Sequence, residues 1–511
     1  MEMQRRTFIK GLGATALAGA SLAVAGTALA DEITWDQEAD VVIVGSGLAG
    51  MSAAIEALNA DSTVLVLEQK QIAGGASIGC QILYSWGSKS LNLPQKYEGI
   101  TDDADQMYDA VMACGSNLAD PDLTRVLVDN CCDGIDFLYE NGCVFDTELK
   151  PVEGTQGQGA YKAASGGGAT SCLINVFEER GNEVMTDCTM TDFIQNEDGR
   201  VIGVWYEDED GNRHAAKANK AVVMASGIWV HDEEMIRREW PTISDDLMNA
   251  LLTSGAKGMP FGLFEGGHIR AGQRIGAGMR HMAYINGEPY HATVELQEPG
   301  VCTEGLVREP DELHVNLEGV RFYDESITRG QMAEKILAQP EGTYFAVLDS
   351  KWIPGKLLPM STPEAIEQWV ADGYMVKADT LEELAEGMER VWGMSAETAL
   401  NTLNTYNEYC ANGVDEDFGK PKNFLTPLDT PPFYVSPKQT ANVQMTLGGY
   451  DADVDARVHD VDGNVIPGLY AAGLCTGGHF GKDAIMGTYQ MTACVFGRIA
   501  GQNAAAEESW A

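Results

Sequence analysis

A glycine-rich turn between a buried strand and a helix places the strongest constraint on the fold of this chain. Residues 41–44 read VVIV, a continuous β-branched run that is typical of a strand buried on both faces of a parallel sheet. Gly45-x-Gly47-x-x-Gly50 follows directly, and MSAAIEAL then has the character of a helix. Such glycines allow a tight turn, a close approach of the backbone to a pyrophosphate and close helix–strand packing. The pattern predicts a Rossmann-like α/β unit that binds a dinucleotide at a helix N-terminus.

A second predicted strand, STVLVLE, supports this interpretation because it ends in an acidic residue. That residue, Glu68, follows the glycine motif at the distance at which dinucleotide-binding folds place a carboxylate for the ribose hydroxyls. NAD and FAD share this kind of site, so the motif alone leaves both cofactors open. The sequence contains one such motif, and one dinucleotide site is therefore expected.

The first 30 residues have the pattern of an export signal. Arg5 and Arg6 precede an apolar run rich in Ala and Gly, and the small residues of Ala28-Leu29-Ala30 suit a cleavage site. The paired arginines favour the twin-arginine machinery, which carries folded proteins. We predict that residues 1–30 are a signal peptide and that the protein is periplasmic or in the cell envelope. An uncleaved membrane anchor is the alternative, which the short, Ala-rich run disfavours; no later run has membrane-spanning length.

Charge and cysteine content exclude several classes of partner and site. The net charge is −42 over 511 residues, so nucleic acid and anionic lipid are not expected as partners. None of the 11 cysteines forms a CxxC or CxxCH motif, so no zinc, iron–sulfur or c-type haem site is predicted. The length favours two or more domains.

Four further motifs give the chain a family resemblance. They are KAVVMASGIWVHDEEM at 220–235, GGHIRAGQRIGAGM at 266–279, NLEGVRFYDESITR at 316–329 and GLYAAGLCTGGHFGKDAIMGTYQMTACVFGRIAGQNAA at 468–505. In order and spacing they resemble the FAD-dependent fumarate reductase/succinate dehydrogenase flavoproteins, which include urocanate reductases and 3-ketosteroid dehydrogenases. The resemblance covers nearly all of the mature chain. It implies that FAD, rather than NAD, occupies the dinucleotide site.

The resemblance also implies an FAD-binding domain that is split by an inserted α+β capping domain. The FAD-binding domain would comprise residues 31–282 and 436–511, and the capping domain residues 283–435. TLEELAEGMERV and TALNTLNTYNEYCANG in the capping segment have helical apolar spacing, and the Pro-rich LTPLDTPPFYV at 425–435 is interpreted as the returning linker. The cofactor-binding residues that the resemblance implies are Gly45, Gly47, Ala49, Gly50, Glu68, Gly75, Ala76, Ser77, Ala225, Gly227, Gly487, Tyr489 and Gln490.

A second set of residues is implied for catalysis and substrate binding. The segment from residue 290 to 329 supplies His291, Thr303, Glu304, Arg308 and Arg329 in the order of the family. By the resemblance, FAD delivers hydride from N5 to the β-carbon of an activated C=C bond, and Arg329 protonates the α-carbon. Glu304 and Arg308 would relay protons, while His291 and Thr303 hold one end of the substrate. Taken singly, these charged residues have the alternative of being solvated surface groups.

Departures from the family pattern argue against fumarate as the substrate. Gln444 and Ala484 stand where the family has a histidine and an arginine that grip the second carboxylate. A buried carboxylate without a partner is unfavourable, so we predict a substrate with one carbonyl-type end and a neutral, bulky or aromatic other end. Lys482 is an alternative cation for an acidic substrate. Leu474 stands where the family has a glutamate that contacts the flavin.

The sequence leaves three functions open. The first is an exported reductase that takes electrons from a separate cytochrome or quinol-linked donor in anaerobic respiration, since the chain has no haem motif of its own. The second is a 3-ketosteroid-type dehydrogenase, although that group has a tyrosine at the position of Arg329. The third is a flavin-carrying electron shuttle without catalytic activity. His479 and Tyr434 are either pocket residues or structural ones.

Overall fold

The computed structural model describes residues 33–95, 99, 101–152, 155, 159–163, 168–241, 243, 248, 264–293, 296, 310–352 and 362–510. The predicted signal peptide, together with Thr303, Glu304 and Arg308, lies outside these residues, as does the side chain of Gln444. Within the described ranges, none of the helices combines the length and the apolar character that crossing a membrane requires.

The described residues form β-strands and α-helices in mixed order. The strands are β1 Gln37–Val44, β2 Val64–Leu67, β3 Ile82–Tyr84, β4 Lys150–Pro151, β5 Gly159–Lys162, β6 Val184–Met185, β7 Thr189–Gln195, β8 Val201–Glu207, β9 Arg213–Met224, β10 Met279–Arg280, β11 Ile285–Ala292, β12 Leu313–Val315, β13 Thr343–Asp349, β14 Val376–Ala378, β15 Phe433–Val435, β16 Gln439–Thr446, β17 Gly449–Asp451, β18 Arg457–His459, β19 Val465–Ala471 and β20 Thr476–Gly477. The α-helices are α1 Leu48–Asn59, α2 Ala104–Cys114, α3 Pro121–Glu140, α4 Gly168–Glu179, α5 Glu233–Glu239, α6 Gly267–Arg274, α7 Arg329–Leu337, α8 Pro363–Ala371, α9 Leu381–Trp392, α10 Ala396–Asn412 and α11 Thr488–Ala506.

The first sheet is built around β1, the strand that precedes the glycine turn. Its order is β18-β19-β9-β1-β2-β6, with β8 paired to β9 and β7. The pairs of β1 with β2 and β9 are parallel. Val41 and Ile43 of β1 pack into one core, and Val42 and Val44 into the core on the other face. Because successive strand residues point to opposite faces, the VVIV run buries both faces of this strand, as predicted.

Helix α11 lies directly against α1 because two glycines remove the intervening side chains. A Cβ atom at Gly497 would lie 2.4 Å from the carbonyl oxygen of Ala49, and one at Gly501 would lie 2.3 Å from that of Ala53. A side chain at either position would therefore push the helices apart. The contact places the middle of α11, at Gly497, beside the first turn of α1, and residues from the starts of both helices line the same cavity.

The second sheet has the order β11-β16-β13-β15-β14, with β12 paired to β13. The predicted boundary at residue 283 lies just before β11. The predicted boundary at residue 436 lies before β16, which pairs with β11 and β13, so the strand pairing assigns residues 439–446 to the second sheet. The end of the predicted linker is β15, a buried strand of the same sheet. The division into domains stays a prediction.

A buried ionic cluster fixes the loop that leads to α7. Arg321 pairs with Glu325 and Asp415 at 2.8 Å each, and the ammonium of Lys420 lies 3.2 Å from Glu325. Burial raises the pKa of Glu325, but Lys420 and Arg321 outweigh it and lower the pKa to about 2. Because these opposite charges are paired inside the protein, they tie the loop before α7 to the segment that follows α10.

The glycine contact between α1 and α11 predicts a large effect of one added side chain. We expect Gly501→Leu to lower the free energy of unfolding by about 1–3 kcal/mol, because the side chain collides with the backbone of Ala53 and overpacking outweighs the better helix propensity. Urea unfolding of the purified protein measures this. Gln502→Ala, at an exposed position of the same helix, should stay within about 0.5 kcal/mol. Equal effects of the two changes would contradict the prediction.

Candidate cofactor and active site

A cavity lies at the carboxyl ends of the central parallel strands, and its empty space, including its opening to solvent, is about 1190 Å³. The segments that follow β1, β2, β9 and β19 line it, together with the first turns of α1 and α11. Open parallel sheets bind their ligands at this edge, because the loops there diverge and leave a crevice. The cavity is therefore the candidate cofactor site.

The glycine turn forms the part of the cavity next to α1. A Cβ atom at Gly45 would lie 2.4 Å from the carbonyl oxygen of Ala225, and one at Gly50 would lie 1.9 Å from that of Gly45. These two glycines are needed for the turn to pack. Gly47 is the N-cap of α1, and no side chain caps the helix. The positive end of the helix dipole and its unpaired amides are thus left for a ligand, which suits a pyrophosphate.

Glu68 stands at the end of β2 in the cavity wall, with only 5% of its surface exposed. The hydroxyl of Ser46 donates to Oε2 at 2.7 Å and the Ser46 amide donates at 3.1 Å, while the amide of Lys70 donates to Oε1 at 3.0 Å. These bonds fix the carboxylate where an acidic residue can accept from ribose hydroxyls. Ser46 was missed at the sequence level because it occupies a variable position of the glycine motif.

All predicted cofactor-binding residues except Gly50 and Gly487 line the cavity. Gly50 packs against the glycine turn. Gly487 has φ +88° and is the N-cap of α11, and a Cβ atom there would lie 2.6 Å from the amide nitrogen of Tyr84. Both therefore shape the backbone. Six further polar residues of the cavity were not predicted. Ser226 and His268 lie in quoted motifs that do not single them out, and no motif includes the other four, which are Gln69, Lys70, Thr189 and Glu265.

His268 gives an independent test of whether a dinucleotide fits. It lines the cavity and is 8% exposed, and its Nε2 atom has no hydrogen-bond partner among the described residues. Burial lowers its pKa to about 4, so the imidazole is neutral at physiological pH. Buried polar atoms generally have a partner, and here a ligand in the cavity can supply it. The glycine turn, Glu68 and His268 together fit FAD.

Arg329 is mostly buried, and it contacts the loop before α11 rather than lining the cavity itself. It is the first residue of α7; its Nη1 donates to Oε1 of Glu288 at 2.8 Å, and its Nη2 lies 3.3 Å from the sulfur of Met486. Its side chain is 19% exposed, and that of Glu288 is 7% exposed. Met486 leads into α11, whose residue Tyr489 lines the cavity. The alternative of a surface arginine is therefore wrong for Arg329.

A bulge in β11 brings His291 to the same carboxylate. Its Nε2 lies 3.6 Å from Oε2 of Glu288, although residues three apart on a regular strand point to opposite faces. The register with β16 shifts between these residues, and Tyr290 between them has φ +75°. The Tyr290 amide donates to the hydroxyl of Tyr344 at 3.0 Å. Glu288 was missed because strand alternation alone places it on the other face.

For the other residues that were predicted to act on the substrate, the structure gives only a backbone position, an exposed position or no description. The backbone of Gln444 is the extra residue of a second bulge, in β16 opposite β11. Lys482 is exposed. Thr303, Glu304 and Arg308 lie outside the described residues, so the roles of all five stay predictions.

His479 and Tyr434 pack against other core side chains. The ring of His479 lies 4.4 Å from that of Phe496, and burial, assisted by Arg280, lowers its pKa to about 3. Tyr434 packs in a core of the second sheet. Neither of them is among the residues that line the cavity.

An apolar cluster surrounds the position at which the family has its second substrate-binding arginine. Ala484 packs there with Leu447 and Phe480, and the partly buried side chains around them are Tyr284, Met445, Leu474 and Tyr489. Three of these also line the cavity: Met445, Leu474 and Tyr489. The cavity therefore continues into a wall whose side chains are uncharged.

Comparisons with known proteins agree with this geometry. A family model described as an FAD binding domain matches residues 40–485. The chain is 28% identical over 470 residues to the NADH:fumarate oxidoreductase of Klebsiella pneumoniae, which covers 91% of this chain but 47% of that protein, so it spans about half of that relative's length. It is 28% identical over 480 residues to the urocanate reductase of Eggerthella lenta, with coverages of 92% and 75%. It is 27% identical over 507 residues to the acrylate reductase flavoprotein subunit of Shewanella woodyi, with coverages of 96% and 96%.

Solved structures show the same fold. The open conformation of a flavocytochrome c3 fumarate reductase superposes with a TM-score of 0.66 at 25% identity, covering 92% of this chain and 78% of that one. The 3-ketosteroid-Δ4-(5α)-dehydrogenase from Rhodococcus jostii RHA1 superposes with a TM-score of 0.69 at 24% identity, with coverages of 94% and 99%. The predicted α/β fold, the family and the cofactor are confirmed. The chain belongs to the FAD-binding domain family and is an FAD-dependent oxidoreductase related to the fumarate reductases.

Proposed function

We propose that this protein is an exported reductase that saturates the activated C=C bond of an α,β-unsaturated carboxylate or carbonyl compound other than fumarate. The observation that carries the proposal is the buried Arg329, which is hydrogen-bonded to Glu288 beside the loop that enters the FAD cavity. A proton donor at this place complements a flavin, because saturation of a double bond needs both a hydride and a proton. The relatives named as fumarate, urocanate and acrylate reductases support this reaction type.

Different residues of the chain have different proposed roles in the reaction. FAD, when it is bound and reduced, supplies the hydride for the β-carbon. Arg329 holds the proton for the α-carbon, and Glu288 fixes the direction of the guanidinium through the 2.8 Å hydrogen bond. His291 donates to the carbonyl oxygen, where negative charge develops. Because arginine releases a proton only reluctantly, Glu304 and Arg308 are proposed to return one to Arg329.

The charges around Arg329 favour a substrate with a neutral far end. The carboxylate of Glu288 offsets the guanidinium charge at a distance of 2.8 Å. Ala484 and its apolar neighbours offer no cation to a second carboxylate. Since a buried carboxylate without a partner costs several kcal/mol, an aromatic or alicyclic group is the better occupant of this wall.

The electron supply follows from the proposed location. Residues 1–30 carry the twin-arginine pattern, so the FAD-loaded protein would reach a compartment in which a protein, rather than a dissolved nicotinamide cofactor, delivers electrons. A separate cytochrome or quinol-linked protein is the proposed donor. The acidic net charge of −42 suits a basic docking face on that donor.

A substrate panel tests the proposed chemistry. We expect the FAD-loaded protein, with dithionite-reduced methyl viologen as donor, to reduce cinnamate, benzylideneacetone or 4-androstene-3,17-dione with a kcat/KM about 100-fold or more above that for fumarate, since two charge contacts to fumarate are absent. The oxidation of the viologen is followed by its colour. Fumarate as the best substrate would contradict the proposal, and a lack of turnover with every compound would favour a flavin electron shuttle. Ala484→Arg should raise kcat/KM for fumarate relative to that for the other substrates, because it adds a cation to the apolar wall.

Replacement of the proton donor gives a second test. We expect Arg329→Ala to lower kcat by about 10²- to 10⁴-fold on the substrate that the panel identifies, with the bound FAD retained, because general acid catalysis contributes that much. Viologen oxidation measures kcat, and flavin absorbance measures the amount of bound FAD. Arg125→Ala removes an arginine with a 40% exposed side chain on α3 and should leave kcat unchanged. Full turnover by Arg329→Ala would overturn the assignment.

The cofactor site yields a third test, which needs no substrate. We expect Glu68→Gln to weaken FAD binding by about 10- to 100-fold, because it removes the charge from a carboxylate that accepts hydrogen bonds inside the cavity wall. The flavin fluorescence that is quenched on binding to the FAD-depleted protein reports the Kd. Glu38→Gln changes an exposed glutamate at the start of β1 and serves as the matched control. Equal FAD affinities of the unsubstituted protein, Glu68→Gln and Glu38→Gln would show that Glu68 does not hold the cofactor.

A further inference from the structure

We propose that Asp483 is a positioning residue that caps α7 from a different part of the fold and thereby fixes Arg329 next to Met486, in the loop that leads into the FAD cavity. This inference rests on the proposed role of Arg329. Asp483 lies in the loop between β20 and α11, and 5% of its surface is exposed. We call its contacts with α7 and β11 the α7 clamp.

The first set of contacts provides a hydrogen-bond acceptor for the donors at the start of α7. The carboxylate of Asp483 accepts a hydrogen bond from the hydroxyl of Thr328, which is the N-cap residue of the helix. The backbone amide of Gln331, the third helical residue, faces the same carboxylate and opposes the rise in the pKa of Asp483 that burial causes. That amide is one that an N-cap side chain commonly satisfies, but the side chain of Thr328 does not cap this helix. Asp483 therefore takes over the role of a local cap.

The fit at Gly330 shows how closely the carboxylate approaches the helix. A Cβ atom at Gly330 would lie 2.6 Å from the carboxyl carbon of Asp483 and 2.7 Å from its Oδ2. The carboxylate thus lies directly on the first turn, where a negative charge is favourable at the positive end of the helix dipole. A side chain at Gly330 would force Asp483 away from its partners.

The second set of contacts joins the clamp to the FAD cavity. The side-chain amide of Asn286 in β11 donates to Asp483 and lies 3.0 Å from the hydroxyl of Tyr489. Tyr489 lines the cavity. Asn286 is two residues before Glu288, the partner of Arg329. One buried carboxylate therefore connects the helix that carries Arg329, the strand that carries its partner and the wall of the FAD site.

The clamp has a specific consequence for the reaction. Arg329 directly follows Thr328. If the first turn of α7 frayed, the guanidinium of Arg329 would lose its fixed orientation, while the glycine turn and Glu68 would stay in place. Loss of the clamp should consequently slow the protonation step more than it weakens FAD or substrate binding. A purely structural contact would instead lower the stability of the whole protein.

Hydrogen–deuterium exchange tests the clamp independently of activity. We expect Asp483→Ala and Gly330→Ala to raise the exchange rate of amides in the first turn of α7 on the order of tenfold, with or without FAD. Asp483→Asn should raise it less, because the amide oxygen still accepts and the amide group can donate to the hydroxyl of Thr328. The control is Ser395→Ala, which removes the local cap of α10 and should raise exchange in α10 only.

Turnover with reduced methyl viologen and the substrate from the panel completes the test. We expect Asp483→Ala to lower kcat about tenfold or more, with KM changed less than about threefold and FAD content unchanged, and Asp483→Asn to restore part of the loss. Thr328→Val, which keeps the carboxylate but removes its hydroxyl donor, carries the test if Asp483→Ala does not fold. Unchanged exchange in α7, or an unchanged kcat despite raised exchange, would overturn the inference. Full activity of Arg329→Ala would instead overturn the proposed function, so the two failures are distinguishable.

Discussion

The close packing of the glycine turn against the segment that follows β9 is the contact on which the rest of the structure depends. The amide of Ala225 donates to the carbonyl of Val44 at 2.8 Å, and the missing side chain of Gly45 lets this segment lie against the turn. The bond continues the parallel pairing of β1 and β9 to the edge of the cavity. Only with the turn in this place do the bare N-terminus of α1 and the carboxylate of Glu68 reach the same space.

Features that depend on local sequence were predictable, and those that depend on distant pairing were not. The strand, the glycine turn and Glu68 lie within a few dozen residues, so spacing alone fixed their arrangement. The role of Glu288 was hidden, because a bulge with Tyr290 at positive φ reverses the expected strand face. The pairing of β16 with β11 was not predictable either, because it joins residues about 150 positions apart, a relation that a Pro-rich run does not reveal.

The proposed site combines a charged proton donor with surroundings that reduce the attraction of the site for anions. Arg329 is oriented by Glu288, and the same carboxylate reduces the net positive charge that an incoming substrate meets. On the other side, Ala484 and its neighbours present carbon atoms to the cavity end. The proposed reduction of a double bond is thus compatible with the proposed selection against dicarboxylates, because the two proposals rest on different side chains.

The position of α11 has a consequence for the order of events during biosynthesis. Its first turn completes the cavity, and its glycines rest on α1, yet residues 60–487 must be translated between the two helices. A nascent chain therefore exposes the glycine turn long before the opposite wall leaves the ribosome. Tight flavin capture has to wait until α11 has left the ribosome and packed against α1, which places cofactor insertion late in the folding of this chain.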